Sequence, residues 1–146
     1  VVVPLLEPEP TEHALDLACR LASDRGFRLL LLAPLYVDWE LPLDAHFTQE
    51  EATLRVELGR ERAIAESYGV GSHTQVVRAR PGELGRGVAE AATEAGASLI
   101  VLGAPAASQH GFRRPFSRDV WSVLNDARCP VMIATGMPAN GKRAVA

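Results

Sequence analysis

One feature constrains the fold of this chain more than any other. Five short apolar runs alternate with four helix-length segments that each carry one apolar face. The runs are VVVPLL (1–6), RLLLLAPLYV (28–37), TQVVRA (74–79), SLIVL (98–102) and PVMIA (130–134). Their continuous apolar stretches suit strands buried on both faces. Pro34 interrupts the second run and predicts an edge position or a bulge there. The first helix is expected to open at Thr11 as N-cap, to carry Ala14, Leu15, Leu17, Ala18, Leu21 and Ala22, and to end at Gly26. Thr48 and Glu51 read as a capping box opening the longest helix, to about Tyr68. Leu84, Val88, Ala91 and Ala95 mark a third helical face, and Val120, Val123, Leu124 and Ala127 a fourth. The β-α-β-α-β-α-β-α-β order predicts an α/β fold, an open five-stranded parallel sheet with helices on both faces and right-handed crossovers.

Several function classes fall away on composition. The 146 residues suit one domain, which at this size buries roughly 68–70% of its unfolded surface without a disulfide or metal staple. A net charge of −3 sets up no global field for nucleic acid or an anionic membrane. No apolar run reaches the ~20 residues of a membrane span, and no signal peptide is visible. Cys19 and Cys129, with no CxxC, read as reduced thiols, a disulfide being the alternative. His13, His46, His73 and His110 lack metal-ligand spacing. Asp38, Glu40 and Asp44 read as a solvated flap rather than paired catalytic acids. Trp39 and Phe47 are expected to pin that flap on the core, or else to cover a crevice or a partner. Ser108 and Ser117 lack a nucleophile-elbow context, and Trp121 reads as half-buried at a core edge. The domain is expected over 1–136, with a loose tail over 137–146. The start at Val1, inside an apolar run and without Met, reads as an excised domain or a trimmed start.

The segment Leu99–Trp121 (LIVLGAPAASQHGFRRPFSRDVW) carries the chemistry worth testing. A strand runs into Gly103, then a loop of small residues, a basic segment and a helix start near Ser117. Free N–H groups and the positive end of a helix dipole attract anions, and Arg113, Arg114 and Arg118 can add charged forks. The alternatives are solvated loop arginines on an ordinary strand-to-helix connection.

These pieces resemble the universal stress protein family from Val1 to about Thr135, most of all in VVVP, ASLIVLGAP and VLNDARCPVMIA. A closer likeness is to the stress-protein domains at the cytoplasmic ends of amino-acid permeases. It is carried by ELPLDA at Glu40–Ala45 and the turn Phe116-Ser117-Arg118. The resemblance implies an adenine-nucleotide alpha-hydrolase-like fold with strand order 3-2-1-4-5. It places a ligand crevice between Leu5–Pro8 and Gly103–Ala107, where the strand order reverses. It also implies a homodimer through the last strand, Pro130–Ala134.

Carried over by position, the implied cofactor-binding residues are Pro4, Leu6, Val37, Leu102, Gly103, Ala106, Arg113, Ser117, Arg118 and Asp119. Two departures stand out. Leu6 occupies the place of an Asp in the ATP-binding members, with Glu7 where Gly follows. In the phosphate loop, Ala106 replaces the second glycine and Ser117-Arg118 the final pair. The cofactor implied is ATP, AMP or a cyclic nucleotide, or none. The expected function is a non-catalytic, cytoplasmic regulatory domain, part of or partner to an amino-acid transporter, with no metal and no nucleic acid. An ATP-binding stress protein with slow hydrolysis and a ligand-free dimerisation scaffold are the alternatives.

Overall fold

The computed structural model describes residues 1–6, 8–104 and 116–135. Ala106, Arg113, Arg114, Glu7, His110 and the expected 137–146 tail with its boundary lie outside the described residues. Strands β1 (Val2–Pro4), β2 (Leu29–Tyr36), β3 (Ser72–Ala79), β4 (Ile100–Ala104) and β5 (Val131–Thr135) alternate with helices α1 (Pro8–Arg25), α2 (Thr48–Ser67), α3 (Leu84–Glu94) and α4 (Arg118–Asp126). The strands form one parallel sheet in the order β3-β2-β1-β4-β5, as the alternation and the resemblance imply.

Successive strand residues face opposite layers. Val3, Leu31, Ala33 and Val101 meet Leu15, Ala18 and Cys19 of α1 and Leu58 and Ala65 of α2. Val2, Leu32, Ile100 and Leu102 meet Leu84 and Val88 of α3 and Val120 and Val123 of α4. Both cysteines are free thiols. Burial, then the charges of Asp16 and Glu61, push the Cys19 thiol up to about 11, which makes it an inert core residue. No helix among the described residues is long and apolar enough to cross a membrane.

Four local expectations change. Helix α1 begins at Pro8, not after a Thr11 cap. The first four N–H groups of a helix lack intrahelical acceptors, so prolines at positions 8 and 10 forfeit nothing. Thr11 instead accepts a hydrogen bond from Leu6 N–H through Oγ1, 3.2 Å away. The capping box at Thr48–Glu51 does not form: Phe47 is the N-cap and no side chain caps the helix. The Glu51 carboxylate faces Arg55 at 3.4 Å and Arg78 at 4.0 Å. Ala95 leaves the buried face of α3 and becomes its C-cap. Pro34 lies in β2, an interior strand. Even-numbered β2 residues bond toward β1, as Leu30 N–H does to Val1 O and Leu32 O does from Leu5 N–H. β1 pairing ends at Leu32, so the missing N–H of Pro34 falls where β1 has already left. The edge is local.

Helices α3 and α4 approach closely because α3 begins Leu-Gly-Arg-Gly. Gly85 N–H donates to Ser122 Oγ at 2.8 Å inside the interface. That bond satisfies one of the orphan donors of the first turn. A Cβ on Gly85 would sit well inside contact distance of the Ser122 carbonyl oxygen, and one on Gly87 would strike Val77.

The segment between β2 and α2 is held by two arginines, two residues apart and so on one side of the strand. Arg78 donates to the carbonyls of Leu43 (3.1 Å) and Ala45 (2.6 Å). Arg80 donates to the carbonyls of Asp38 and Leu41, the latter at 2.6 Å, and lies 5.6 Å over the Trp39 ring. The flap is thus fixed through its backbone. Trp39 is 62% exposed, with Leu41 and Leu43 also exposed, so the expectation that Trp39 pins the loop on the core is corrected.

Gly85→Ala is expected to lower unfolding free energy by about 3 kcal/mol through forced separation of α3 and α4. Urea denaturation checks this, and a change within 0.5 kcal/mol, roughly the range of inert surface substitutions, would contradict the packing. Arg80→Ala is expected to speed exchange of the Leu41 amide, which bonds Asp38 O at 3.0 Å, roughly ten- to hundredfold, since hydrogen bonds to charged donors contribute about 1.5–3 kcal/mol. Unchanged exchange would show that the flap holds without the arginine.

Candidate functional site

The site begins where β1 stops. β1 pairs with β4 at Val2–Ile100 alone, while β4 runs on beside β5 to Ala104–Thr135. Leu5 N–H still reaches Leu32 O at 2.7 Å, and Leu6 N–H then turns to Thr11. Val2 N–H bonds Leu99 O, but Pro4, the next β1 residue in that alternation, has no N–H to donate, so the ladder stops there. The strand order reverses between β1 and β4, the usual ligand position in open parallel sheets.

The structure brings some of the implied site residues together and leaves others in the core. Pro4 is buried at the end of β1. Leu6 is half-buried, packs against the α3/α4 layer, and lines a cavity of about 200 Å³ with Leu5, Thr11, Glu57, Arg60 and Glu61. Val37 is wholly buried, its N–H bonded to Ala79 O at 2.9 Å. Leu102 is wholly buried among the core residues of α3 and α4, and Gly103 is buried in β4. Ala106 and Arg113 lie outside the described residues.

Ser117, Arg118 and Asp119 form the start of α4. Ser117 is the N-cap, and its hydroxyl oxygen accepts from Val120 N–H at 3.3 Å. Among the described residues, no side chain caps the N–H groups of Arg118 and Asp119. The Arg118 guanidinium turns toward the β3–α3 connection and lies against Gly82, whose φ is +84°. The positive φ calls for glycine at this turn, and a Cβ there would displace the guanidinium.

Sequence reasoning missed Tyr36. Its hydroxyl donates to Asp119 Oδ2 at 2.6 Å, joining the end of β2 to the first turn of α4. β1 is the strand between them, so the bond closes over its carboxyl end. Burial first, then the Asp119 carboxylate, hold the phenol well above its usual titration range. The signal was available: Leu30 and Leu32 face the α3/α4 layer, and the alternation along β2 sends Tyr36 the same way.

The charge of the site is mixed. The Asp119 carboxylate sits favourably at a helix N-terminus but repels a second negative charge. In the 200 Å³ cavity, one oxygen of Glu61 is buried with no hydrogen-bond partner among the described residues. Burial, then the charge of Glu12, raise that carboxyl above the usual range. No group of three His, Cys, Asp or Glu among the described residues is placed to hold a metal ion.

Known proteins agree with this architecture. No curated protein sequence matches the chain. A Burkholderia pseudomallei protein of the universal stress protein family is 26% identical, with 90% of this chain and 93% of that one covered at a TM-score of 0.60. The universal stress protein from Archaeoglobus fulgidus in complex with dAMP is 19% identical over 91% and 94%, at 0.66. A universal stress protein in complex with cAMP is 18% identical over 92% and 94%, at 0.65. The latter two likenesses establish the fold. The sequence model of the universal stress protein family matches residues 1–135, and with sheet order, connections and chain coverage in agreement, this chain belongs to that family.

Proposed function

We propose that the chain is a non-catalytic regulatory domain that senses an adenine or cyclic nucleotide at the carboxyl end of β1. The observation that carries this reading is the reversal of strand order between β1 and β4, with a cavity beside the end of β1 and Asp119 of α4 reaching Tyr36 across it. The base enters the 200 Å³ cavity, where its exocyclic amine donates to the unpartnered Glu61 oxygen. The anion meets the first-turn N–H groups of Arg118 and Asp119. Relatives bound to dAMP and to cAMP support the ligand class. Asp119 disfavours a polyanion, so one phosphate is preferred to three. Leu6 offers no oxygen to a ribose or to a metal, which favours binding over phosphate cleavage.

In this reading the domain is cytoplasmic and serves a membrane amino-acid transporter, as part of it or as its companion. The ELPLDA flap supports a partner role, because Arg78 and Arg80 hold its backbone while Leu41 and Leu43 stay exposed. β5 is an edge strand with Met132 exposed, which suits pairing with a second copy. A ligand regulates either contact only by binding two states unequally. One observation favours the ligand-free dimerisation scaffold: Leu6 and Phe116 both pack on the α3/α4 layer.

Thermal unfolding with AMP, cAMP and ATP tests the reading. At ligand 100-fold above Kd, the stabilisation is roughly 2.7 kcal/mol, or about 5–10 °C for a domain of this size. AMP and cAMP are expected to raise the midpoint more than ATP. No rise with any of the three would leave the scaffold. Leu6→Asp, which restores an acceptor for ribose hydroxyls, is expected to enlarge the AMP shift, and an unchanged or smaller shift would contradict the placement of the sugar.

A further inference from the structure

A second cavity lies apart from the end of β1. It is an open groove of about 610 Å³ lined by Gly82, Phe116, Arg118, Trp121, Ser122 and Asn125. Its floor is one face of α4, since positions 118, 121, 122 and 125 follow the i, i+3, i+4, i+7 pattern of a helix stripe. Its far wall is the turn before α3.

Three features make this groove more than a surface dent. The Arg118 guanidinium lies against Gly82, and among the described residues it pairs with no carboxylate. Trp121 is 41% exposed beside it, and its ring is braced edge-on by Phe116 at 5.4 Å and 70°. An exposed indole with a fixed orientation presents a flat apolar surface without the entropy of an unrestrained side chain. Asn125 stands seven residues beyond Arg118, about 10 Å along the helix axis at 1.5 Å per residue. The groove thus offers, in order, a charged fork, an aromatic wall and an amide.

We propose that this groove binds a small planar bicyclic carboxylate. The carboxylate takes the Arg118 fork, the rings lie against Trp121 and Phe116, and a polar tip reaches the Asn125 amide. The volume falls within the range of small-molecule sites. A carboxylate suits a planar guanidinium, which bonds both oxygens at once. This site goes beyond the nucleotide reading: it uses the Arg118 side chain, whereas the nucleotide reading uses the backbone N–H of that residue. It does not depend on Leu6 or Glu61.

The chain holds two tryptophans, so Trp39→Phe leaves Trp121 as the sole indole reporter. In that background, 2-naphthoate is expected to change Trp121 emission saturably at sub-millimolar concentration, with 2-naphthamide at least tenfold weaker. 6-Hydroxy-2-naphthoate should bind several-fold more tightly than 2-naphthoate, and Asn125→Leu should remove that advantage. Arg118→Gln should weaken naphthoate at least tenfold. This residue is exposed, and an unchanged circular dichroism spectrum is the check that the variant remains folded. Leu6→Asp should leave naphthoate affinity unchanged, and AMP should not displace it. The proposal is overturned by no saturable response up to 10 mM, by equal binding of the amide, or by equal binding to Arg118→Gln. Displacement by AMP would also overturn it, by merging the two sites. Because these readouts use no nucleotide-dependent stabilisation, failure of one reading leaves the other standing.

Discussion

The architecture at the carboxyl edge of the sheet depends on how little of β1 pairs with β4. One residue pair, Val2–Ile100, is laddered between the two central strands, because Pro4, next in the alternation to face β4, has no N–H to donate. Parallel strands require crossovers, and strands that run left and then right from a common centre must part somewhere. Pro34 is tolerated in an interior strand because the pairing of β1 with β2 ends at Leu32, so its absent N–H removes no ladder bond. The chain then turns through Leu6 and Thr11 into α1, and a cavity forms beside the turn.

Three separate devices stiffen the edge that this parting opens. The Tyr36–Asp119 bond ties β2 to α4 across the end of β1. The Gly85–Ser122 contact brings α3 and α4 together without intervening side chains. Arg78 and Arg80 hold the flap by its carbonyl groups, which leaves its apolar side chains outward. The result is a rigid rim carrying surfaces of different character: an acidic cavity beside α1 and α2, the start of α4, and an arginine-aromatic groove over α4.

Much of the fold was legible because it rests on periodicity. The five apolar runs and four amphipathic segments correspond to the nine elements, and their order alone implied a parallel sheet. The boundaries were less legible where a local motif had a competitor. Glu51 fits a capping box by spacing, but Arg78, distant in sequence, lies by its carboxylate. Thr11 fits an N-cap, but the helix starts three residues earlier because prolines are harmless in a first turn. The site was legible only in part. Ser117 and Asp119 stand at the head of α4 as their motif implied, whereas Val37 and Leu102 are core residues. The alternation along β2 gives the side to which Tyr36 points, but its partner Asp119 lies 83 residues away, and no local pattern joins the two. Gly82 is legible as a turn residue after Pro81, but not as the residue against which Arg118 lies.

The central claim is that the gap between the ends of β1 and β4 admits a nucleotide monophosphate. Mapping amide and indole resonances by ¹⁵N NMR during titration with AMP tests it most directly. The account expects the largest shifts at the amides of Leu6, Arg118 and Asp119, with smaller ones at Glu57 and Glu61 and none at the Trp121 indole. Shifts confined to the flap or to the α4 groove, or no shifts at saturating AMP, would contradict it.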